Sequence, residues 1–339
     1  MRLTLLLSLA LTLPAAADEP FTFRRPCMGT IWTLKIYTEK EETARAAADA
    51  AFARVEELNG ILSDYLPESQ LSRLSATAGT GKPATVTGDL MTVLALSQEA
   101  AAESDGVFDI TLGPCVQLWR HAKKSGRLPS EEELKAARAA SGWQSLILDR
   151  EKGTALLTKP GMKLDAGGIA KGYAQDEAMK VMRDKFRISS ALIDAGGSPL
   201  VSGRPPGRDG WNVQLAKTRD DDPEVILRVE NACVDTSGDL NQFVEIDGVR
   251  YSHIIDKHTG LGMVDSTQAT VVAASATLAD WLATALCVMG PDAGIAFVRK
   301  SHPGIPVRIA RHAANGILTV SETPEFSALV LKSGKARPP

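Results

Sequence analysis

Four short segments of this chain carry residue types that a hydrophobic core does not need. In Leu164-Asp165-Ala166-Gly167-Gly168-Ile169-Ala170-Lys171-Gly172-Tyr173, a strand end delivers an Asp, two glycines follow and a helix begins. Backbone N–H groups at a helix start hold anions, and glycines let a phosphate approach closely. Lys171 falls in the first turn, within reach of the same phosphate. The segment does not match G-x-x-x-x-G-K-[ST], so a nucleotide-triphosphatase loop is not expected. Asp194-Ala195-Gly196-Gly197-Ser198 repeats the logic, and a plain glycine turn accounts for it equally well.

The third segment is Thr236-Ser237-Gly238-Asp239, followed by Tyr251-Ser252-His253-Ile254-Ile255-Asp256. An imidazole with an unperturbed pKa of about 6.5 beside a carboxylate is suited to general-base work. By type alone, a lone histidine is more often structural or surface-exposed. The fourth is Asp280 with Thr284, which at i and i+4 project from one face of an otherwise apolar helix. An acid on such a helix requires a partner. With the hydroxyl and a nearby backbone carbonyl it forms a hard-oxygen set suited to Mg²⁺ bridging phosphate oxygens. The structural alternative pairs Asp280 with an Arg and bonds Thr284 back to its own helix.

Mixed strands and helices must position these segments. Alternation predicts a strand over 30–37. An apolar stripe of Ala44, Ala48, Ala51, Phe52, Val55, Leu58 and Leu62 predicts a helix over 41–62. Further helices are expected over 89–103, 130–142, 168–186 and 276–289, the second of these opened by a Ser130/Glu133 capping box. Strands are expected over 191–194, 225–229, 270–273 and 328–331, with a hairpin of 307–311 and 317–320 turning at Asn315-Gly316. Irregular alternation with hairpin signals favours an α+β architecture over a doubly wound sheet.

With 339 residues, 44% hydrophobic, the chain can bury a substantial core, and a net charge of −3 without a basic stripe argues against nucleic acid. Arg2, the apolar run 3–13 and Ala15-Ala16-Ala17 read as a signal peptide over 1–17 with cleavage before Asp18. The run is too short to span a membrane, and no later segment reads as a span. A soluble, exported, periplasmic domain over 18–339 is the expectation. Cys27, Cys115, Cys233 and Cys287 have no metal-ligand spacing, and Cys287 lies in an apolar run that suits a buried free thiol.

Taken in order, the motifs resemble the FAD:protein FMN transferase (ApbE) family. The matching pieces are Cys-Met-Gly-Thr at 27–30, Leu-Ser-Asp-Tyr at 62–65, Asp-Gly-Val-Phe-Asp-Ile-Thr-Leu-Gly-Pro at 105–114 with Leu118-Trp119, the 165–173 segment, Asp-Ala-Gly-Gly at 194–197, Thr-Ser-Gly-Asp at 236–239, the 251–260 segment and the 279–290 segment. The resemblance implies a T-fold-like α+β enzyme with mixed and antiparallel sheets. It would bind FAD and Mg²⁺ and move FMN from FAD to a Thr or Ser hydroxyl of a target protein, releasing AMP. Carried over by motif position, flavin contacts fall to Met28, Tyr65, Gly106, Val107 and Phe108, with Asp165, Lys171 and Ile254 also at FAD. Mg²⁺ would take the Gly168 carbonyl and the side chains of Asp280 and Thr284. His253 would accept the hydroxyl proton, directly or through Asp256 or the acceptor's own carboxylate.

Four positions depart from the family pattern. Lys257 and His258 follow Asp256 where the family commonly has Pro and a basic residue, Ser75 stands where Asn is frequent, and Asp235 where a small residue is common. These bear on acceptor recognition more than on FAD. The expected acceptor is an exported redox protein with a Thr or Ser flavinylation motif, in peripheral contact with membrane redox complexes. Two other readings stay open: an FAD diphosphatase in which water replaces the hydroxyl, and a non-catalytic exported flavin carrier or assembly factor.

Overall fold

The structure, a computed structural model, describes residues 19–217, 222–239, 242–312 and 317–331. The segment expected to be a signal peptide, 1–17, and the turn expected at Asn315-Gly316 lie outside the described residues.

Eight strands form one antiparallel sheet in which spatial order follows chain order: Phe21–Cys27, Thr30–Tyr37, Ser190–Ala195, Pro199–Ser202, Ala232–Gly238, Ser266–Ala273, Val307–His312 and Leu318–Glu322. Because side chains alternate across a strand, the sheet serves two cores. Trp32, Leu34, Ile36, Ile193, Val271 and Ile309 belong to the larger one. Their neighbours Tyr37, Val201, Val234 and Val272 belong to a smaller one, closed by Trp211, Leu227 and Phe326.

Three helices cover the larger core: Glu41–Leu62, Ala170–Phe186 and Ala276–Ser301. Every residue of the expected stripe on Glu41–Leu62 is buried. Its alanines meet Ala170–Phe186, where Ala174 and Ala178 are buried. Small side chains on both helices allow this approach.

The helix Ala276–Ser301 is fastened at its start by Asp176 of Ala170–Phe186. The carboxylate accepts the N–H groups of Ala276 and Thr277 at 2.8 and 2.9 Å and the hydroxyls of Ser275 and Thr277 at 2.8 and 2.6 Å. The helix breaks at Gly290 (φ 76°) and restarts at Pro291, as expected of a residue before proline and of proline in a first helical turn. The expected helix over 276–289 ends at this break. By length and composition the whole helix is apolar enough to cross a membrane, but 61% of its most apolar window is buried inside the protein.

The α+β architecture is as expected, with two local corrections. The strand expected over 328–331 is replaced by the helix Pro324–Leu329, which Pro324 opens and Phe326 anchors in the smaller core; only Val330 makes a single bridge, to Leu227. Asp165 does not end a strand. It follows a bridge between Lys163 and Leu112, and its own N–H donates to the Ile110 carbonyl at 2.8 Å. All four cysteines are buried and free.

Candidate active site

The helix that follows the Gly-Gly turn and the apolar helix Ala276–Ser301 meet at a carboxylate. Asp280 is 3% exposed. Its Oδ2 accepts the Gly172 N–H at 2.9 Å, and its Oδ1 lies 3.9 Å from the Lys171 ammonium. A Cβ on Gly172 would stand 2.3 Å from the Ala276 carbonyl oxygen and 2.9 Å from the Asp280 Cβ, so glycine is what lets the helices approach this closely. The partners of Asp280 are thus a lysine and a backbone amide, not an arginine. One turn on, the Thr284 hydroxyl meets Ser237 Oγ at 3.1 Å across from the strand Ala232–Gly238, rather than its own helix. A Cβ on Gly168 would be 3.1 Å from Thr284 Oγ1 and 3.1 Å from Phe108 Cε2. Gly168 and Thr284 are therefore brought together, one helical turn from Asp280, with Phe108 packed on Gly168 and on Trp281.

The charges here are tightly linked. Asp280 raises the Lys171 pKa against the opposing effect of burial, with Asp235 and Asp165 adding to it. Lys171 also donates to the Gly167 carbonyl at 3.2 Å, which curls it back over the turn. Asp235, the residue that departs from the family pattern, is buried on the sheet face beneath; burial and then Asp280 raise its carboxyl pKa, opposed by Lys171 and Ser198.

A second cluster surrounds Asp165. Its Oδ1 accepts the Gly167 N–H at 2.8 Å and its Oδ2 accepts from Arg120 Nη2 at 2.8 Å. The other guanidinium nitrogen donates to Asp64. The Arg120 guanidinium carbon also sits 4.0 Å from the centre of the Tyr65 ring. Burial, followed by the charge of Asp64, raises the Asp165 pKa, and Arg120 opposes them. Ser75 accepts the neighbouring Leu164 N–H at 3.0 Å.

His253 directly follows the second strand of a two-stranded hairpin, Phe243–Ile246 with Val249–Ser252. Its Nδ1 lies 3.2 Å from the Gln242 carbonyl oxygen. A carbonyl only accepts, so Nδ1 carries the proton and Nε2 keeps its lone pair. Burial brings the imidazole down to about pKa 4, partly offset by the Gln242 contact and reinforced by the charge of Lys171. Trp119 stands edge-on, with ring centres 6.3 Å apart. Asp256 makes a turn instead: it accepts the His258 N–H at 2.9 Å and the Thr259 hydroxyl at 3.4 Å. Among the described residues it makes no hydrogen bond to His253.

The Gly106 turn is tied to the same loop. Asp105 and Gly106 have φ of 52° and 71°, and Lys257 donates to the Asp105 carbonyl. Val107 is partly buried against the larger core. Ile254 is buried in it, and its N–H donates to Ser252 Oγ at 3.1 Å. Met28, at the tip of the first hairpin with φ 45°, borders an open cleft of about 450 Å³ shared with Glu56 and Asn59.

Sequence reasoning overlooked Arg120, Asp64 and Lys257 as site residues. Arg120 lies on the helix Gly113–Ser125, which was not anticipated although Pro114 near its start and left-handed Gly126 past its end mark its limits. Nothing local links Arg120 to Asp64 and Asp165, which the chain brings from 56 and 45 residues away.

An antiparallel sheet backed by helices, with a lysine, a buried carboxylate and a hydroxyl gathered at a Gly-Gly turn, defines a site for a phosphate-bearing substrate. Residues 28–309 match the model of the ApbE family, and the chain belongs to that family. The FAD:protein FMN transferase of Klebsiella pneumoniae is 29% identical over 311 residues, 90% of this chain and 87% of that protein. The FAD:protein FMN transferase of Vibrio cholerae is 31% identical over 290 residues, 83% of this chain and 84% of that one. Among solved structures, the flavinyl transferase ApbE of Pseudomonas stutzeri matches with a TM-score of 0.82 at 28% identity, covering 94% of this chain and 98% of that one. The ApbE protein of Thermotoga maritima matches with a TM-score of 0.83 at 26% identity, covering 93% and 100%.

Proposed function

We propose that this chain is an FAD:protein FMN transferase that uses Mg²⁺ to move FMN from FAD onto a Thr or Ser hydroxyl of an exported redox protein, with AMP released. The observation that carries this reading is the meeting of Gly168, Asp280 and Thr284 beside Lys171. A buried carboxylate with one oxygen facing a cation, a hydroxyl, and the carbonyl of a residue without a side chain form a hard-oxygen donor set, and that set fits Mg²⁺. When bound there by the Gly168 carbonyl, Asp280 and Thr284, Mg²⁺ would neutralise diphosphate oxygens of FAD.

Lys171 adds positive charge at the same diphosphate, while the Gly172 N–H in the first turn of Ala170–Phe186 is taken up in holding Asp280. The acceptor oxygen attacks the phosphorus of the FMN half, the bond to the AMP oxygen breaks, and Nε2 of neutral His253 takes the hydroxyl proton. Such transfers depend mainly on positioning and on electrostatic stabilisation. Asp256 keeps the His253 loop in its turn, so its part is positional. Met28, Tyr65, Gly106, Val107, Phe108, Asp165 and Ile254 would hold FAD.

The N-terminal segment supports export to the periplasm, where the acceptor would be met beside membrane redox complexes. The paired variants Asp280→Ala and Thr284→Val test the site: both should lose Mg²⁺-dependent AMP release while retaining FAD binding. Release that survives in both would remove the metal assignment. An exported protein whose N-terminus is not Asp18 would overturn the cleavage position.

A further inference from the structure

We propose that Arg120 is a positioning and specificity residue for the flavin end of FAD: it holds the Tyr65 ring from one side so that the outer face of the ring stacks on the isoalloxazine. This rests on the transferase reading given above.

Tyr65 is 72% exposed, far more than an aromatic ring with a purely structural task requires. It follows the end of the helix Glu41–Leu62 by three residues, and its N–H bonds Ser63 Oγ at 3.2 Å. The contact that fixes its ring is the Arg120 guanidinium, 4.0 Å from the ring centre, which is a cation–π distance. The guanidinium is itself fixed. One nitrogen bonds Asp64, the residue next to Tyr65, and the other bonds Asp165 at 2.8 Å. Asp165 is pinned in turn by the Gly167 amide at 2.8 Å. The helix carrying Arg120 abuts the Asp165 segment so closely that a Cβ on Gly113 would be 2.5 Å from the Lys163 carbonyl oxygen. A continuous chain of contacts thus runs from the Gly-Gly turn to the Tyr65 ring.

A planar fork is needed for this arrangement, since two carboxylates and an aromatic face must be served at once. A lysine ammonium supplies the charge but neither the plane nor the fork. With one face on Arg120, the Tyr65 ring offers the other to a planar aromatic partner. FAD carries two such rings, and the motif position of Tyr65, which the family resemblance gives to the flavin, selects the isoalloxazine.

The test is calorimetric binding of FAD, FMN and ADP to the wild type, Arg120→Ala and Arg120→Lys, each confirmed folded by circular dichroism. For Arg120→Ala, FMN and FAD affinity should fall about tenfold, the order of one cation–π-supported stack, with ADP unchanged. Arg120→Lys, which keeps the charge and so leaves the two carboxylates compensated if the alanine variant fails to fold, should still lose about threefold for FMN. In turnover the KM for FAD should rise with little change in kcat. FMN binding equal to wild type in both variants, or an equal loss of FMN and ADP, would overturn the assignment of Arg120. Failure of the wild type to bind FAD would instead bring down the transferase reading and this inference with it.

Discussion

The Gly172 amide donates to Oδ2 of Asp280 at 2.9 Å, so one carboxylate oxygen is committed to the neighbouring helix while the other faces Lys171. The approach leaves no room for a side chain at Gly172, where a Cβ would meet the Ala276 carbonyl oxygen at 2.3 Å. Gly172→Ala should therefore cost about 3 kcal/mol of stability, toward the upper end of overpacking effects. It should also displace Asp280 and lower turnover. Thermal melts check the first effect and AMP release the second; a variant as stable and active as the wild type would show that the two helices separate freely.

Removing the carboxylate itself gives a different result. Asp280→Ala should abolish Mg²⁺-dependent turnover with the fold retained, because the buried Gly172 amide left without its acceptor costs about 1–3 kcal/mol, while the metal set loses its only carboxylate. Turnover against Mg²⁺ concentration is the measurement, and full activity would contradict the metal assignment.

His253 should respond to acid later than an ordinary histidine. Burial brings its pKa to about 4, below the 6.5 expected in an unfolded chain. Above pH 6.5 both states are neutral there, and the stability contribution is fully present. As pH falls from 6.5 toward 4, the unfolded chain takes up a proton that the folded protein refuses, so stability is lost through that window. The stability of His253→Gln relative to wild type should rise as pH is lowered from 7 to 4.5. The imidazole should titrate near pH 4 by NMR in the absence of FAD; a midpoint near 6.5 would contradict the half-buried neutral base.

Tyr65→Ala should weaken FAD binding by about tenfold, since stacking contributes on the order of 1 kcal/mol beyond area burial. The ring is mostly solvent-exposed, so the melting temperature should barely move. Unchanged FAD affinity would remove Tyr65 from the site.

Much of this arrangement was legible in the sequence, for physical reasons. Residues four apart on a helix share a face, so Asp280 and Thr284 could be placed together before any fold was known. Glycine pairs and an early lysine marked the turn at Gly167-Gly168, and an apolar stripe marked Glu41–Leu62. What stayed hidden was tertiary. Arg120 joins Asp64 and Asp165 through a helix docked on Lys163, and no local spacing encodes that meeting. The short apolar run over 328–331 read as a strand because a few residues cannot distinguish the two periodicities. Pro324, in the first turn of the helix that replaced it, was the available signal. The role of Asp256 was set by its loop, where the turn to His258 and Thr259 takes both carboxylate oxygens.

The central claim is most directly tested by incubating the protein with FAD and Mg²⁺, with and without an acceptor carrying a Thr-containing flavinylation motif, and measuring AMP together with covalent flavin fluorescence on the acceptor. The transferase reading predicts AMP only when acceptor is present, in step with fluorescence on the acceptor band. AMP and free FMN without acceptor would make the protein an FAD diphosphatase, and FAD bound but unreacted in both tubes would contradict catalysis and leave a carrier.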